Sequence, residues 1–248
     1  MHAHSHNDYE HKRPLFDAID RGFCGVEADV WLVDGKLLVA HDRENVKPER
    51  TLEVLYLEPL RARVVRNGGR VFRSGPSVTL LIDVKSEATN TYVALREVLR
   101  RHEEMLTQFH ADRTETNAIT VIISGNRARE LMAAEKIRLV AYDGRIEDLD
   151  SGASPHFIPL ISDNWTKLFR WKAGKDEGPI SMEETLKLKE LAARAHKQGR
   201  RLRLWAAPDK AAMWQVLLEA GVDFINTDDL EGLEKFLLVR EAREAAPR

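Results

Sequence analysis

The chain has 248 residues, enough to bury a substantial core, and its 38 Lys and Arg against 40 Asp and Glu leave a formal net charge of −2. With no global field to hold a polyanion, nucleic acid is a poor partner. The lone cysteine, Cys24, excludes an internal disulfide and reads as a small buried residue beside Phe23, and no apolar run reaches the roughly 18–20 residues that span a bilayer.

The pattern begins at once, with residues 3–5 as a short strand and no signal peptide ahead of it. Such an abrupt start fits a secreted or periplasmic chain whose leader has been removed and Met1 supplied, or a natural cytoplasmic start. Residues 14–21 follow as a helix with Pro14 in its first turn. Residues 25–33, GVEADVWLV, make the second strand. Asp34-Gly35 then separates two apolar runs, so the chain turns back in a short β-hairpin ending at His41-Asp42. An amphipathic helix over 52–65 leads to the third strand, 78–84, VTLLIDV. A long helix over 91–109 carries Val93, Leu95, Val98, Leu99 and Leu106. The fourth strand is 118–123, and Ser124-Gly125-Asn126 caps a helix over 127–134. Strands five and six, 138–141 and 157–161, are followed by short helical stretches over 144–150 and 165–171. A helix over 182–196 has Ser181 and Glu184 at capping-box spacing. The seventh strand, 203–206, precedes a helix over 210–220 capped by Asp209. The eighth, 223–226, precedes the closing helix over 230–239.

Eight strands with a helix after each predict an α/β fold: a single (β/α)8 TIM-barrel domain over residues 1–248, with the hairpin after strand two. The alternative, an open doubly wound sheet, normally carries a Gly-rich loop after its first strand, and none is present.

Active sites in such barrels lie at the carboxyl ends of the strands. Glu27 and Asp29 stand two apart on strand two, so both carboxylates face the mouth. The pair fits a metal site, a proton-sharing dyad or two salt bridges. Asp83 ends the neighbouring third strand, and a third carboxylate makes an oxygen-rich site suited to one divalent cation, Mg2+ or Ca2+. Zinc is not indicated, because Cys24 is alone and no HExxH spacing exists. Lys85 points the same way as Asp83 and either pairs with it or reaches a phosphate oxygen.

His2, His4 and His6 share one face of strand one, and only His6 reaches the mouth; His41 ends the hairpin beside strand two. Cleaving a phosphodiester takes one group to deprotonate the nucleophile and one to protonate the leaving alkoxide, and histidine suits both near neutral pH. A lone histidine is more often structural, but two flanking a carboxylate cluster read as a catalytic pair. His11, His102, His110, His156 and His196 read as surface or structural residues. Asp42 either orients His41 or caps the next turn. Asn7 and Asp8 either contact phosphate or support the site. Trp205 either walls the pocket, stacking on a headgroup, or packs in the core. Asn164-Trp165 is a further lining candidate, and Thr227 and Asp228 read as caps of the last helix.

The arrangement His6, Glu27-x-Asp29, His41-Asp42, Asp83-x-Lys85, Trp205, Gly221-Val222-Asp223 and Thr227-Asp228 resembles the glycerophosphodiester phosphodiesterase family over residues 4–230. That family belongs to the phosphatidylinositol-phospholipase-C-like superfamily of (β/α)8 phosphodiesterases. The resemblance implies His6 and His41 as general acid and base, and Glu27, Asp29 and Asp83 as ligands of a divalent cation. It also implies Lys85 as a phosphate contact and Trp205 as a pocket wall. Typical members read His-Arg-Gly at the first histidine and Glu-Asn-Thr soon after. Here the text is His6-Asn7-Asp8-Tyr9 and Lys12-Arg13-Pro14-Leu15, so the phosphate-contacting arginine is missing at that point. Many members also carry glutamate where this chain has Asp83. In both respects it is similar to the sphingomyelinase-D-like branch, whose enzymes let a substrate hydroxyl attack phosphorus and release a cyclic phosphate. The implied partner is a small-molecule or lipid phosphodiester. A cyclising phospholipase, an inactive barrel that binds a phosphate ligand, and a metal-dependent hydrolase of another bond are the alternatives.

Overall fold

A computed structural model describes residues 2–176 and 178–245, so Met1 lies outside the described residues. In chain order the elements begin with β1 (Ala3–Ser5), α1 (Phe16–Ile19), β2 (Gly25–Val33), β3 (Lys36–Val39), α2 (Glu58–Arg66) and β4 (Val78–Val84). There follow α3 (Ala88–Arg100), β5 (Gln108–Phe109), β6 (Thr114–Glu115), β7 (Ile119–Gly125), α4 (Arg129–Ala134) and β8 (Val140–Gly144). The chain ends with β9 (Leu160–Asn164), α5 (Trp165–Leu168), α6 (Met182–Lys197), β10 (Arg201–Trp205), α7 (Ala211–Glu219), β11 (Ile225–Thr227) and α8 (Leu230–Ala245).

Strands β10-β9-β8-β7-β4-β2-β1-β11 pair in that order, all parallel. A parallel bridge from Arg203 to Phe224 links β10 to β11 and nearly closes the ring. The predicted (β/α)8 barrel is therefore the observed fold. The hairpin also stands where it was expected: β3 runs antiparallel to β2, and Asp34 and Gly35 at its turn have φ of 48° and 75°. Two successive positive φ values mark the tight turn whose twist matches the flanking strands.

Later strands are offset from their expected bounds by one to three residues, β10 toward the N-terminus and β7, β8, β9 and β11 toward the C-terminus, because apolar runs locate a strand better than they locate its ends. The expected helix over 91–109 stops at Arg100, and β5 and β6 form a small antiparallel hairpin after it. Burial overrides the helical pattern here, since Phe109 packs with Leu81, Ile122, Ala141, Leu160 and Phe224 inside the barrel. Glu87 caps α3 by accepting from the N–H groups of Thr89 and Asn90, each at 2.8 Å. The expected helix over 52–65 opens instead with a π-turn at Glu53–Leu57 before α2, where Pro59 contributes no N–H to the ladder. Ser181 caps α6 as predicted, but the Glu184 carboxylate accepts from the N–H groups of Arg170 and Trp171, so only half of the capping box forms.

The main core fills the layer between barrel and helices, with Val26, Leu80, Val121, Leu95 and Leu188 fully or almost fully buried. Each such side chain contributes about 1.5–3 kcal/mol. Inside the barrel the chemistry changes with height. Leu81, Ile122, Ala141 and Leu160 make an apolar floor. Two residues further along the same strand faces stand Asp83, Ser124, Asp143 and Ser162. The polar layer lies toward the carboxyl ends, where the barrel opens.

Candidate active site

At that open end lies a cleft of about 450 Å3, lined among others by His6, Glu27, His41, Asp83, Lys85 and Trp205. Asn7 lines it as well. Six of the eight residues expected to form the site thus border one cleft with Asn7, and the eighth, Asp29, sits just beneath with 1% exposure. The strand register explains the convergence, since Asp29 of β2 stands directly opposite Asp83 of β4.

Glu27, Asp29 and Asp83 each offer an oxygen within 4.8 Å of the others. Arg203, from β10, pairs with one oxygen of Glu27, Oε2, which also accepts from His4 Nε2 at 3.2 Å. Burial alone would raise the Glu27 carboxyl, but the Arg203 charge and the His4 hydrogen bond outweigh it and hold it far below the usual range. Asp29 Oδ2 receives three partners: Tyr9 Oη at 2.8 Å, Lys85 Nζ at 3.0 Å and His41 Nδ1 at 3.1 Å. Its other oxygen, Oδ1, is buried with no hydrogen-bond partner among the described residues. Burial pushes Asp29 up to about 6, against the pull of Lys85, and burial likewise raises Asp83. Lys85 also reaches Asp83 Oδ2 at 3.2 Å, and the two carboxylates outweigh burial and raise its pKa.

Each histidine of the expected pair has a carboxylate on Nδ1. His6 meets Asp228 Oδ1 at 2.8 Å, and His41 meets Asp29 Oδ2 at 3.1 Å. A carboxylate there keeps the proton on Nδ1 and leaves Nε2 for a substrate. Burial works against the charge on His6, but the Asp228 hydrogen bond and the Glu27 charge win, and its pKa is raised.

Several expectations are corrected. Asp42 neither orients His41 nor caps the following turn with its side chain; Asp29 takes the first role, because the hairpin folds His41 back over β2. Asp8 does not face the cleft: fully buried, it accepts from Ser5 Oγ, Tyr56 Oη and the Leu15 N–H and so fixes the loop after β1. Trp165 is core, stacked on Phe169 at 4.3 Å, and Asn164 caps α5. Asp228 does not cap α8. Asp229 does, accepting from the Gly232 N–H at 2.9 Å, which leaves Asp228 free to hold His6. Asp209 caps no helix either; Lys210 is the residue at the start of α7. Cys24 is half-buried, against the barrel floor.

Arg203, His4, Tyr9, Asp228 and Gly125 were missed. Period two gives a signal for the first, since Arg203 and Trp205 share a face of β10. Gly125 read only as part of a cap. Its φ is +67°, and a Cβ there would overlap the Asp83 carboxylate and the Val84 carbonyl oxygen.

Burial and then the Arg203 charge push His4 down to about 4, so the ring is neutral near pH 7. The unfolded chain takes up a proton near pH 6.5 and the folded one does not until about pH 4. The resulting stabilisation is complete above pH 6.5 and is lost as the pH falls through that window, by roughly 1.4 kcal/mol per pH unit. Asp29 runs the other way, because its raised pKa costs stability as the pH rises toward about 6. The difference between wild type and His4→Asn isolates the histidine. Urea midpoints from pH 7 to 5 should fall more steeply for wild type, and parallel curves would refute the assignment.

The AIM6-like phosphodiesterase domain family matches residues 1–143, more than half of the chain, and the Glycerophosphoryl diester phosphodiesterase family matches residues 201–231. Similar curated proteins are each called Altered inheritance of mitochondria protein 6 or a homolog of it. The relative from Eremothecium gossypii is 29% identical over 94% of this chain and 69% of its own length. That from Lachancea thermotolerans is 32% identical over 92% and 64%. That from Arthroderma benhamiae is 25% identical over 94% and 83%. The chain therefore spans between 64% and 83% of these relatives. Among solved structures, a glycerophosphodiester phosphodiesterase from Parabacteroides distasonis superposes with a TM-score of 0.54 at 17% identity, covering 92% of this chain and 90% of that one. One from Agrobacterium tumefaciens gives 0.50 at 13%, covering 94% and 97%. These two likenesses concern the fold.

Proposed function

Because the chain belongs to the AIM6-like phosphodiesterase domain family, we propose that it cleaves glycerophosphodiesters, with His6 and His41 as general acid and base and a divalent cation at Glu27, Asp29 and Asp83. One observation carries the reading: both histidines border a single cleft, each with a carboxylate behind Nδ1, and Glu27 and Asp83 of the acidic cluster line the same cleft. A binding protein has no need of that duplicated His–carboxylate arrangement.

The residues fit a hard cation. All three donors are carboxylates, and Asp29 Oδ1 is buried and unpartnered among the described residues, an arrangement that costs free energy unless something completes it. A bound Mg2+ or Ca2+ would supply Lewis acidity toward the phosphoryl oxygens. The charges agree with this. The three carboxylates outnumber Lys85 and Arg203 by one, so a dication leaves one positive charge, the complement of a diester monoanion.

The chain's own groups then divide the work. One histidine takes a proton from water or a substrate hydroxyl at Nε2, and the other delivers a proton to the leaving alkoxide. Arg203 of β10, two strands round the ring from β1, lines the cleft while paired with Glu27 and brings a guanidinium where the text around His6 offers none. Lys85 and Asn7 contact the phosphate, and Trp205 walls the pocket. Among the lining residues only Val84 and Trp205 carry apolar side chains, which favours a small polar diester over one carrying an acyl chain.

Phosphorus NMR of glycerophosphocholine, glycerophosphoinositol and lysophosphatidylcholine, each incubated with Mg2+ or Ca2+, tests the proposal. The expected product is a phosphomonoester from the two deacylated substrates, and EDTA should stop its appearance. A cyclic phosphate would move the chemistry to intramolecular attack. No cleavage with either cation would leave a phosphate-binding barrel.

A further inference from the structure

Asp209 lies on the loop between β10 and α7, four residues after Trp205. Its Oδ1 accepts from Trp214 Nε1 at 2.9 Å and from Thr227 Oγ1 at 2.7 Å. Its Oδ2 accepts from the backbone N–H groups of Asp228 at 2.8 Å and Asp229 at 3.0 Å. Thr227 Oγ1 in turn accepts from the Asp229 N–H at 2.9 Å, and the Thr227 carbonyl accepts from the His6 N–H at 3.0 Å. None of the bonds to the Asp209 carboxylate comes from the first N–H groups of α7, so a capping role does not account for it. Apart from the bond from the Trp214 indole on α7, they converge instead on the turn that carries Asp228.

That turn has an exacting task. The Asp228 side chain is 65% exposed, yet it holds His6 Nδ1 at 2.8 Å. A solvent-exposed carboxylate keeps one geometry only if its backbone is fixed, since the side-chain entropy it gives up is not offset by burial.

We propose that Asp209 is a positioning residue for the reaction: it staples the β11–α8 turn to the loop that follows Trp205, and so holds Asp228 behind His6. Asp209 acts through Asp228 and touches no reacting atom. The staple also ties two walls of the cleft, so that the aromatic wall and the acid–base histidine are held as one unit. The role in turnover rests on the assignment of His6 to proton transfer; the positioning of His6 does not.

Asp209→Asn keeps the volume and the Oδ1 acceptor but sets an amide against the N–H groups of Asp228 and Asp229. In that variant kcat should fall about a hundredfold, the cost of a misplaced catalytic group, with KM little changed. A double-mutant cycle with Asp228→Asn should be strongly non-additive, the pair being no slower than Asp228→Asn alone. NMR titration of His6 supplies a readout that needs no turnover. The charged groups facing His6 are Asp228 from the β11–α8 turn, Glu27 from β2 and Arg203 from β10. Asp209→Asn leaves the last two in place, so its His6 pKa should drop as far as in Asp228→Asn. Thr227→Val, which removes one donor, should shift His6 the same way by less and serves if Asp209→Asn does not fold. Additive rate losses, or an unshifted His6 in Asp209→Asn and Thr227→Val, would overturn the proposal. If wild type cleaves nothing, the functional reading fails and the titration still decides the role of Asp209.

Discussion

Replacing His6 or His41 by alanine is expected to lower kcat for a glycerophosphodiester by about 10²–10⁴-fold while leaving the fold intact, the usual contribution of a positioned acid or base. Neither ring is core, with side-chain exposures of 29% and 53%. Truncation therefore opens no cavity, and circular dichroism and melting temperature should stay close to wild type. KM should change little, because proton transfer belongs to the transition state, so kcat and kcat/KM should drop together. The two variants should then part company on an activated substrate. Asp228 favours the charged form of His6, which suits it to carry the proton for the leaving alkoxide. A p-nitrophenyl leaving group needs no such proton, so it should restore most of the lost rate to His6→Ala and little to His41→Ala. Near wild-type cleavage of a glycerophosphodiester by either variant would remove that histidine from the chemistry. Rescue of His41→Ala instead would exchange the two roles.

Gly125→Ala should disable the same site from the neighbouring strand. At φ +67° a side chain is strained, and its Cβ would occupy the space of the Asp83 carboxylate and the Val84 carbonyl. The backbone term costs about 1 kcal/mol or more. The larger consequence is local: Asp83 must turn away from Asp29 and Glu27. Affinity for Mg2+ or Ca2+ should fall about 10–100-fold, as when a supporting group beside a metal ligand is lost, and cleavage should fall with it. Gly35→Ala is the control. Its φ is +75° but nothing lies within 4 Å of the added carbon, so it tests strain without collision. Calorimetric cation titrations of the two variants should differ sharply. Equal cation affinities would mean that Gly125 serves only its turn.

The candidate site was legible in outline for a simple physical reason. Strand periodicity sends residues two apart to one face, and the barrel gathers strand ends at one mouth, so Glu27, Asp29 and Asp83 meet once the strands are named. The hairpin was equally readable, because Asp-Gly has few conformations to choose from. What stayed hidden was each group's partner. Asp228 looked like a helix cap, since Asp before a helix usually is one, and Asp229 beside it took that place. Arg203 stands in an arginine-rich stretch with Arg200 and Arg201 that nothing local sets apart, and its pairing with Glu27 joins residues 176 apart in sequence. The stretch from residue 101 to β5 was read as helix because Leu106 continues the apolar pattern of α3, while burial of Phe109 in the barrel decided otherwise.

The proposed acid–base histidines and the acidic cluster are thus a property of local pattern: two-residue spacing, strand ends and turn chemistry already bring His6, His41, Glu27, Asp29, Asp83 and Lys85 toward one mouth. Which oxygen faces which proton is a property of the closed ring. Only when β10 and β11 come round to β1 does Arg203 reach Glu27 and Asp228 reach His6, so those two pairings are consequences of closure, whereas Asp29 meets His41 within the β2–β3 hairpin. Hydrogen bonds depend on tenths of an ångström across distant segments, and no local propensity encodes that.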